Sequence, residues 1–413
     1  MILNYSNDIM IGGILVLILT GIISFAIIDR LKARYPYINE VTLRRLFFYH
    51  VFMSTVYYVY VLFNPSDSKF YYQKVTTAFR GESWVDYYGT STKYVEFIGY
   101  PFANFFGFSY EAMMALFAFF GFLGFVYFYV FFRENIRFKH TLYGFDLITI
   151  IFFLPNLHFW SASFGKGPIS FLGIALFFYG LSKIQTRWMA ILIGSLIIYH
   201  VRPHVMLVVL ISSAIGFMFT TKGVSTSLRI TFLVGVGIAF YFIYRDVLAM
   251  VGIDEEEFIS QGLNLTHRAN ELTKASSGVD IMSYSLPMQV FTFLYRPLFF
   301  DAPGALGIIV SFENVFYLLL TIKLFSLKGI RFMITGNFMV KTAFVSFLTV
   351  AIALAQISGN LGLAIRQKSQ VMMLFIFVIL AFMDSEKMKV YRSAVIQRMR
   401  RARLIKNKKQ QVI

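Results

Sequence analysis

Hydrophobic residues run along this chain in long stretches that short polar segments separate. A helix of about 20 apolar residues crosses the roughly 30 Å hydrocarbon core of a bilayer. By this criterion the sequence predicts about eleven spans, near residues 9–28, 46–63, 111–132, 142–159, 169–183, 188–200, 204–220, 229–250, 304–322, 338–357 and 371–384. The pattern therefore predicts an all-α fold, a polytopic bundle of transmembrane helices.

Two polar segments between the spans are too long for simple turns. Residues 64–110 mix charges with many aromatic side chains, and residues 252–303 begin with an acidic run and end in an apolar stretch that prolines interrupt. Both patterns are typical of helices that lie in the membrane interface or re-enter it. We therefore expect one transmembrane domain, 1–384, with these two outer loops, followed by a basic tail, 385–413.

Basic residues divide unevenly between the segments that join the spans. With the N-terminus outside, the inner segments and the tail hold 26 of the 38 Lys and Arg residues. Loops rich in Lys and Arg stay in the cytoplasm, so we expect a cytoplasmic C-terminus. The basic run of the tail favours contact with anionic lipid headgroups over binding to nucleic acid.

The composition is typical of a membrane protein and excludes several kinds of site. Charged residues make up only 14% of the 413 residues, against about 25% in soluble domains. The chain has no cysteine, which excludes disulfides, thiolate nucleophiles and cysteine-bound metals. His200 and His204 have a metal-like spacing, but Pro203 disfavours a helix there and no third ligand is nearby, so we predict no metal site.

Twelve Lys and Arg residues remain on the predicted outer side, and five of them are candidates for function. They are Lys166, Arg202, Arg296, Arg366 and Lys368, with His204 beside Arg202. Such charges do not serve orientation, and arginine binds phosphate oxygens through two parallel N–H donors. We therefore interpret them as candidate ligands for an anion.

Each cation also has a structural interpretation. Arg202 could pair with Glu313 or Asp301, and Arg296 with Asp301 five residues later. Lys166 could be an ordinary lysine at the membrane surface, and the pair Arg366 and Lys368 an interfacial collar. The spans on either side of Arg202 are short, which is compatible with half-height helices beside a polar cavity.

Two carboxylates are candidates for a general base. Asp67 follows the second predicted span, where a carboxylate at the mouth of a cavity can accept a proton from a hydroxyl. Its alternative role is to start an interfacial helix as the N-cap. Glu313 falls about ten residues into an apolar span and should face the bundle interior.

Several short motifs occur in one order along nearly the whole chain. They are Asp67-x-x-x-Tyr71, Trp160-Ser161-x-x-x-Gly165-Lys166, Arg202-Pro203-His204, Arg296-Pro297 with an acidic residue following, and Gly362-x-x-x-Arg366-Gln367-Lys368. In this organisation the chain resembles the Wzy-type O-antigen and capsule polymerases, polytopic proteins of bacterial surface-polysaccharide clusters. The resemblance implies a GT-C-like membrane glycosyltransferase of the bacterial inner membrane that uses no metal and no cofactor.

The resemblance also implies the ligands and the roles of the candidate residues. The substrate would be an undecaprenyl-diphosphate-linked glycan that enters from the membrane lipids, and a flippase and a chain-length regulator of the same pathway would be partners. Asp67 or Glu313 would deprotonate the acceptor. The diphosphate would be held by Arg202, Arg366 and Lys368, with Arg296, Lys166 and His204, and the sugars by Tyr71, Tyr72, Trp84 and Trp160.

Two other functions fit the same residues. A flippase or transporter of lipid-linked oligosaccharides would also need an anion-binding cavity, although its cations should be distributed through the membrane depth. An enzyme that uses a polyprenyl-monophosphate sugar would fit Asp67 equally well.

Overall fold

The computed structural model describes residues 7–219, 225–251, 280–358 and 360–410. About 81% of the chain is helical, which confirms the all-α prediction. Most of the second predicted outer loop, residues 252–279, lies outside the described residues.

The described helices occur in the following order. Up to residue 251 they are α1 (Asn7–Arg34), α2 (Glu40–Phe63), α3 (Asp67–Thr76), α4 (Thr92–Asn104), α5 (Tyr110–Asn135), α6 (Leu147–Phe152), α7 (Pro155–Trp160), α8 (Lys166–Leu181), α9 (Ile184–Val201), α10 (Pro203–Met218) and α11 (Thr226–Val251). From residue 280 they are α12 (Leu286–Tyr295), α13 (Gly304–Ile322), α14 (Leu327–Thr335), α15 (Phe338–Ile357) and α16 (Leu361–Gln410). A two-stranded antiparallel hairpin, β1 (Thr141–Leu142) and β2 (Phe145–Asp146), precedes α6.

Six of the described helices are long and apolar enough to cross a bilayer. They are α1, α2, α5, α9, α13 and α15. The apolar helices α8, α10 and α12 are shorter, with 16, 16 and 10 residues. These lengths and compositions indicate a multi-pass membrane protein, but they do not confirm the predicted total of about eleven spans.

The predicted span 142–159 is wrong as a single helix. Tyr143 and Gly144 form the turn of the hairpin with φ angles of 50° and 85°, the left-handed conformation that a two-residue hairpin turn requires. Pro155 then begins α7, because proline fits the first turn of a helix but not its interior. Average hydrophobicity does not distinguish this broken segment from a continuous span.

Helices α9 and α10 meet at Arg202, whose φ and ψ of −146° and 75° are non-helical. Pro203 occupies the first turn of α10 and fixes the break there. Helix α9 is interrupted in its first turn by Arg187, whose φ and ψ of −126° and 24° are non-helical. The regular helix after this kink is about 21 Å long.

The first predicted outer loop folds into helices, as expected. It contains α3, a short 3-10 helix (Trp84–Tyr87) and α4, which pack around Val75, Tyr87 and Tyr100. The buried carboxylate of Glu96 pairs there with Arg80 and lies 3.6 Å from the Lys74 ammonium. This segment, residues 64–110, is therefore ordered and has its own small core, and we call it the outer layer.

Polar contacts gather the predicted inner segments at one end of the bundle, which we call the basic end. Glu134, near the end of α5, pairs with Arg187 at 2.8 Å and with Lys183 at 2.5 Å. The backbone amide of Phe138 donates to the carboxylate of Asp384 in α16 at 2.7 Å. These contacts join residues that the alternation of spans had placed on one side.

The predicted outer segments meet at the opposite end. Arg366 of α16 pairs with Asp67, and the hydroxyl of Tyr110, the first residue of α5, lies 2.7 Å from that of Ser68. Helices α5 and α16 therefore contribute to both ends, so the two groups of segments lie on opposite sides of the bundle. This arrangement agrees with the predicted alternation.

Close packing at glycines joins the central helices. In α8, 14 of 16 residues are buried. A Cβ atom at Gly194 of α9 would lie 2.7 Å from the backbone nitrogen of Phe177 and 2.8 Å from the carbonyl oxygen of Gly173. Small residues at such contacts let helix backbones approach closely in membranes.

Gly121 in α5 offers a direct test of this packing. A Cβ atom there would lie 1.9 Å from the carbonyl oxygen of Ser161, so Gly121→Ala should destabilise the protein by about 1–3 kcal/mol through overpacking. Thermal unfolding in detergent, followed by circular dichroism, measures the change. Gly235→Ala in α11 is the matched control, because nothing lies within 4 Å of that position. An equal loss of stability in both variants would contradict the packing described.

Candidate functional site

Three basic side chains converge at the opposite end of the bundle, and we call them the cation cluster. Lys166 begins α8, Arg202 lies between α9 and α10, and Arg366 is in the second turn of α16. Each of the three interacts electrostatically with the other two. Like charges in such proximity repel one another, so their arrangement favours the binding of an anion.

Arg202 is the most buried member of the cluster, with 9% of its surface exposed. Its Nε donates to the hydroxyl of Ser170 in α8 at 3.2 Å. Within the described ranges it forms no ion pair with a carboxylate, and both predicted alternative partners, Glu313 and Asp301, bind other groups. The structural ion pair considered for Arg202 is therefore wrong. His204 follows in the first turn of α10 and is half-buried.

Arg366 connects the cluster to a carboxylate and an aromatic ring. Its Nη1 donates to Oδ2 of Asp67 at 2.5 Å, and its guanidinium carbon lies 5.8 Å from the centre of the Trp160 ring. The side chain of Asp67 is 54% exposed. The N-cap of α3 is Ser66, which accepts from the backbone of Lys69, so Asp67 is not the helix cap.

Lys166 ties the cluster to the outer layer. Its ammonium donates to the hydroxyl of Ser91 at 2.8 Å, and the Ser91 amide donates to the carbonyl oxygen of His200 at 2.6 Å. The imidazole of His200 is bonded to Tyr88 at 3.0 Å and stacks on Tyr94 at 4.5 Å between centroids. His200 therefore fastens the end of α9 to the outer layer.

Tyr71 of α3 lies within the same group of charges. It is 5% exposed and interacts with Asp67, Arg366 and Arg202. Burial, and after it the Asp67 carboxylate, raises the pKa of the Tyr71 phenol above its ordinary value. The phenol therefore stays protonated at neutral pH.

The other predicted aromatic residues divide between two places. Trp160 lies beside Arg366 of the cation cluster. Trp84 donates to the carbonyl oxygen of Phe97 at 2.8 Å and stacks on that ring at 4.8 Å. Tyr72 donates to the carbonyl oxygen of Phe108 at 3.0 Å. Trp84 and Tyr72 thus contact the outer layer itself rather than the cluster.

Lys368 contacts a different set of groups from Arg366. Its ammonium donates to the carbonyl oxygens of Leu294 and Arg296, at 3.1 and 2.8 Å, and to Oδ1 of Asn314 at 2.9 Å. An ammonium has three N–H donors, and all three are used. Residues two apart on a helix do not face the same side, so Arg366 and Lys368 do not point toward one ligand, as the resemblance had implied.

Arg296 and Glu313 are engaged elsewhere too. Arg296 pairs with Asp301, which was its structural interpretation. Glu313 is 3% exposed, and its two carboxylate oxygens accept from the Asn156 amide at 2.6 Å and from the Tyr317 hydroxyl at 3.4 Å. Neither residue belongs to the cation cluster.

Two serines of the site were missed. Ser170 lies four residues after Lys166 on one helix face, so helical periodicity could have indicated it. Ser91 had no comparable signal, because 75 residues separate it from Lys166.

Among the described residues, no group of three or more His, Asp or Glu side chains could hold a metal ion. No family model, curated protein or solved structure matches the chain. The geometry of the cation cluster is therefore the basis for assigning a function.

The different surroundings of the two cations on α16 predict different effects on stability. Lys368→Met leaves three buried acceptors without a donor and should destabilise the protein by about 3–5 kcal/mol. Arg366→Met removes a side chain that is 23% exposed and should cost much less. Thermal unfolding of both variants and the wild type in one detergent checks this. A Lys368→Met midpoint equal to that of the wild type would contradict a structural role for Lys368.

Proposed function

We propose that this protein is a membrane glycosyltransferase that polymerises undecaprenyl-diphosphate-linked repeat units of a bacterial surface polysaccharide. The observation that supports this most is the cation cluster. Lys166, Arg202 and Arg366 are close together, and Asp67 is the one described carboxylate in ion-pair contact with any of them. A diphosphate would offer negatively charged oxygens to these three cations.

The distribution of charge supports the orientation that this function needs. The positive-inside rule assigns the basic end to the cytoplasm and hence the cation cluster to the outer face of the bacterial cytoplasmic membrane. The resemblance to Wzy-type polymerases implies a reaction on that face, with the lipid-linked donor arriving from the bilayer.

In the proposed reaction, Arg202, Arg366 and Lys166 hold the diphosphate of the donor. The acceptor oxygen forms a bond to the anomeric carbon while the bond from that carbon to the diphosphate oxygen breaks. The electron pair leaves with the lipid diphosphate, whose developing charge the three cations stabilise. The acceptor proton passes to Asp67.

The surroundings of the two carboxylates favour Asp67 as the base. Asp67 is more than half exposed, and its contact with Arg366 brings it beside the group that would hold the leaving diphosphate. Glu313 is buried and already accepts two hydrogen bonds. Two aromatic residues complete the proposed site. We assign Trp160, whose ring lies beside Arg366, to stacking on a sugar ring. We assign Tyr71, whose phenol is neutral, to donating a hydrogen bond to the substrate.

Substitutions in the cluster test the proposal in cells. Arg202→Ala, Arg366→Ala and Asp67→Ala should each remove long surface glycans, because diphosphate binding or proton transfer is lost. Glycan length is examined on a gel, with protein levels followed through a C-terminal tag. Lys93→Ala, an exposed lysine of the outer layer, is the control and should keep full-length chains. Unchanged chains in all three cluster variants at normal protein levels would overturn the proposal.

A binding measurement on the same variants separates the alternatives. Purified protein is offered farnesyl diphosphate and farnesyl monophosphate, and Arg366→Ala should weaken diphosphate binding by about tenfold or more. Equal or tighter binding of the monophosphate would instead favour an enzyme that uses polyprenyl-monophosphate sugars. Transport of lipid-linked oligosaccharide across vesicles without chain growth would favour a flippase.

The absence of cysteine makes the orientation directly measurable. A single cysteine at exposed Lys93 should react with a membrane-impermeant maleimide in intact cells. One at exposed Lys328 should react only after the membrane is opened, because it lies in a predicted inner segment. The reverse labelling pattern would place the cation cluster in the cytoplasm and contradict the proposed reaction.

A further inference from the structure

A separate polar cavity opens at the basic end of the bundle. It has a volume of about 390 Å³ and lies between the connection of α1 to α2, the end of α5 and the start of α6. Its lining includes three cations, Arg133, Arg137 and Lys139, and one carboxylate, Asp146. None of these residues takes part in the proposed glycosyl transfer.

The single carboxylate of the cavity is already neutralised. Asp146 pairs with Arg133, one contact being 3.3 Å, and accepts from the backbone and the hydroxyl of Thr149 at 3.0 and 2.8 Å. Burial alone would raise the pKa of Asp146, but the bonds from Arg133 and Thr149 lower it below its ordinary value. The carboxylate therefore stays ionised and occupied at neutral pH.

Two positive charges at the mouth of the cavity remain uncompensated. Arg137 and Lys139 are exposed, and neither side chain forms an ion pair with any carboxylate in the described parts of the chain. Together with the neutral pair of Arg133 and Asp146, they give the cavity a net charge of two positive units.

Two buried donors line the deeper part. Tyr129 is 0% exposed, and its hydroxyl lies near the Arg133 guanidinium without a hydrogen bond of ordinary geometry. The Nε of Arg133 is also buried without a hydrogen-bond acceptor. Leaving buried donors unsatisfied costs free energy, which an oxygen of a bound ligand would recover.

We propose that this cavity is a second anion-binding site, which takes a phosphate group. Arg137 and Lys139 attract it at the mouth, and Tyr129 and the Nε of Arg133 donate to its oxygens. The volume is in the range of small-molecule pockets, so a phospholipid headgroup fits as well as free phosphate. At a cytoplasmic end of the bundle, both the anionic inner leaflet and soluble phosphates are within reach.

The test uses the full-length protein in a neutral detergent. Isothermal titration measures binding of inorganic phosphate, against chloride at equal ionic strength, and of short-chain phosphatidylglycerol, against phosphatidylcholine. The double variant Arg137→Ala/Lys139→Ala should weaken binding about tenfold or more, and Tyr129→Phe by a few fold. Arg30→Ala/Lys328→Ala removes two exposed cations of the basic end outside the cavity and should bind as the wild type does.

Each outcome has a defined meaning. Phosphatidylglycerol binding alone supports the site and identifies a lipid headgroup, whereas binding of inorganic phosphate supports the site with a soluble ligand. Binding that survives Arg137→Ala/Lys139→Ala, or that falls equally in the control variant, overturns the proposal. Loss confined to Arg366→Ala would also overturn it, because the anion would then occupy the cation cluster. The glycosyltransferase proposal stands or falls separately, on glycan length.

Discussion

A charge inside an apolar bundle must be matched by polar partners, because the hydrocarbon surroundings cannot solvate it. Lys368 meets this requirement with three oxygens from α12, the α12–α13 connection and α13. Glu134 meets it with Arg187 and Lys183, which join α5 to the start of α9. Such contacts fix the helices relative to one another, since any displacement would leave a buried charge uncompensated.

Arg202 differs from these matched charges. It is also buried, yet its described side-chain hydrogen bond is to the neutral hydroxyl of Ser170. It interacts electrostatically with the neutral phenol of Tyr71 and with two neighbouring cations. The charges of Lys368 and Glu134 bind neighbouring helices to one another. At Arg202, in contrast, the fold places three positive charges near one another although they repel. The proposed role of Arg202 in anion binding rests on this difference from Lys368.

Much of the fold followed from local features of the sequence. Helices α13 and α15 have the bounds that the apolar runs 304–322 and 338–357 predicted, because a long apolar segment in lipid must satisfy its own backbone. The division of segments between the two ends followed from the alternation of spans. The hairpin before α6 and the break at Pro155 were missed, since their residues are as apolar as those of a span.

The site was less accessible to such reasoning. Lys166, Arg202 and Arg366 were all candidates, but so were Arg296 and Lys368, which the structure engages elsewhere. Side-chain direction on α16 distinguishes Arg366 from Lys368, and helical periodicity could have shown it. The pairing of Arg366 with Asp67 joins residues 299 apart, and no local pattern encodes such a contact.

Helix α16 runs without a break from Leu361 to Gln410, so one rod of about 75 Å carries Arg366 near its first end and the basic tail at its other. A continuous helix resists both bending and torsion. Attachment of the tail to a surface would therefore fix the direction in which Arg366 points from the helix axis. The three hydrogen bonds of Lys368 hold the helix against its neighbours. The two ends of the bundle are therefore joined by a single continuous helix.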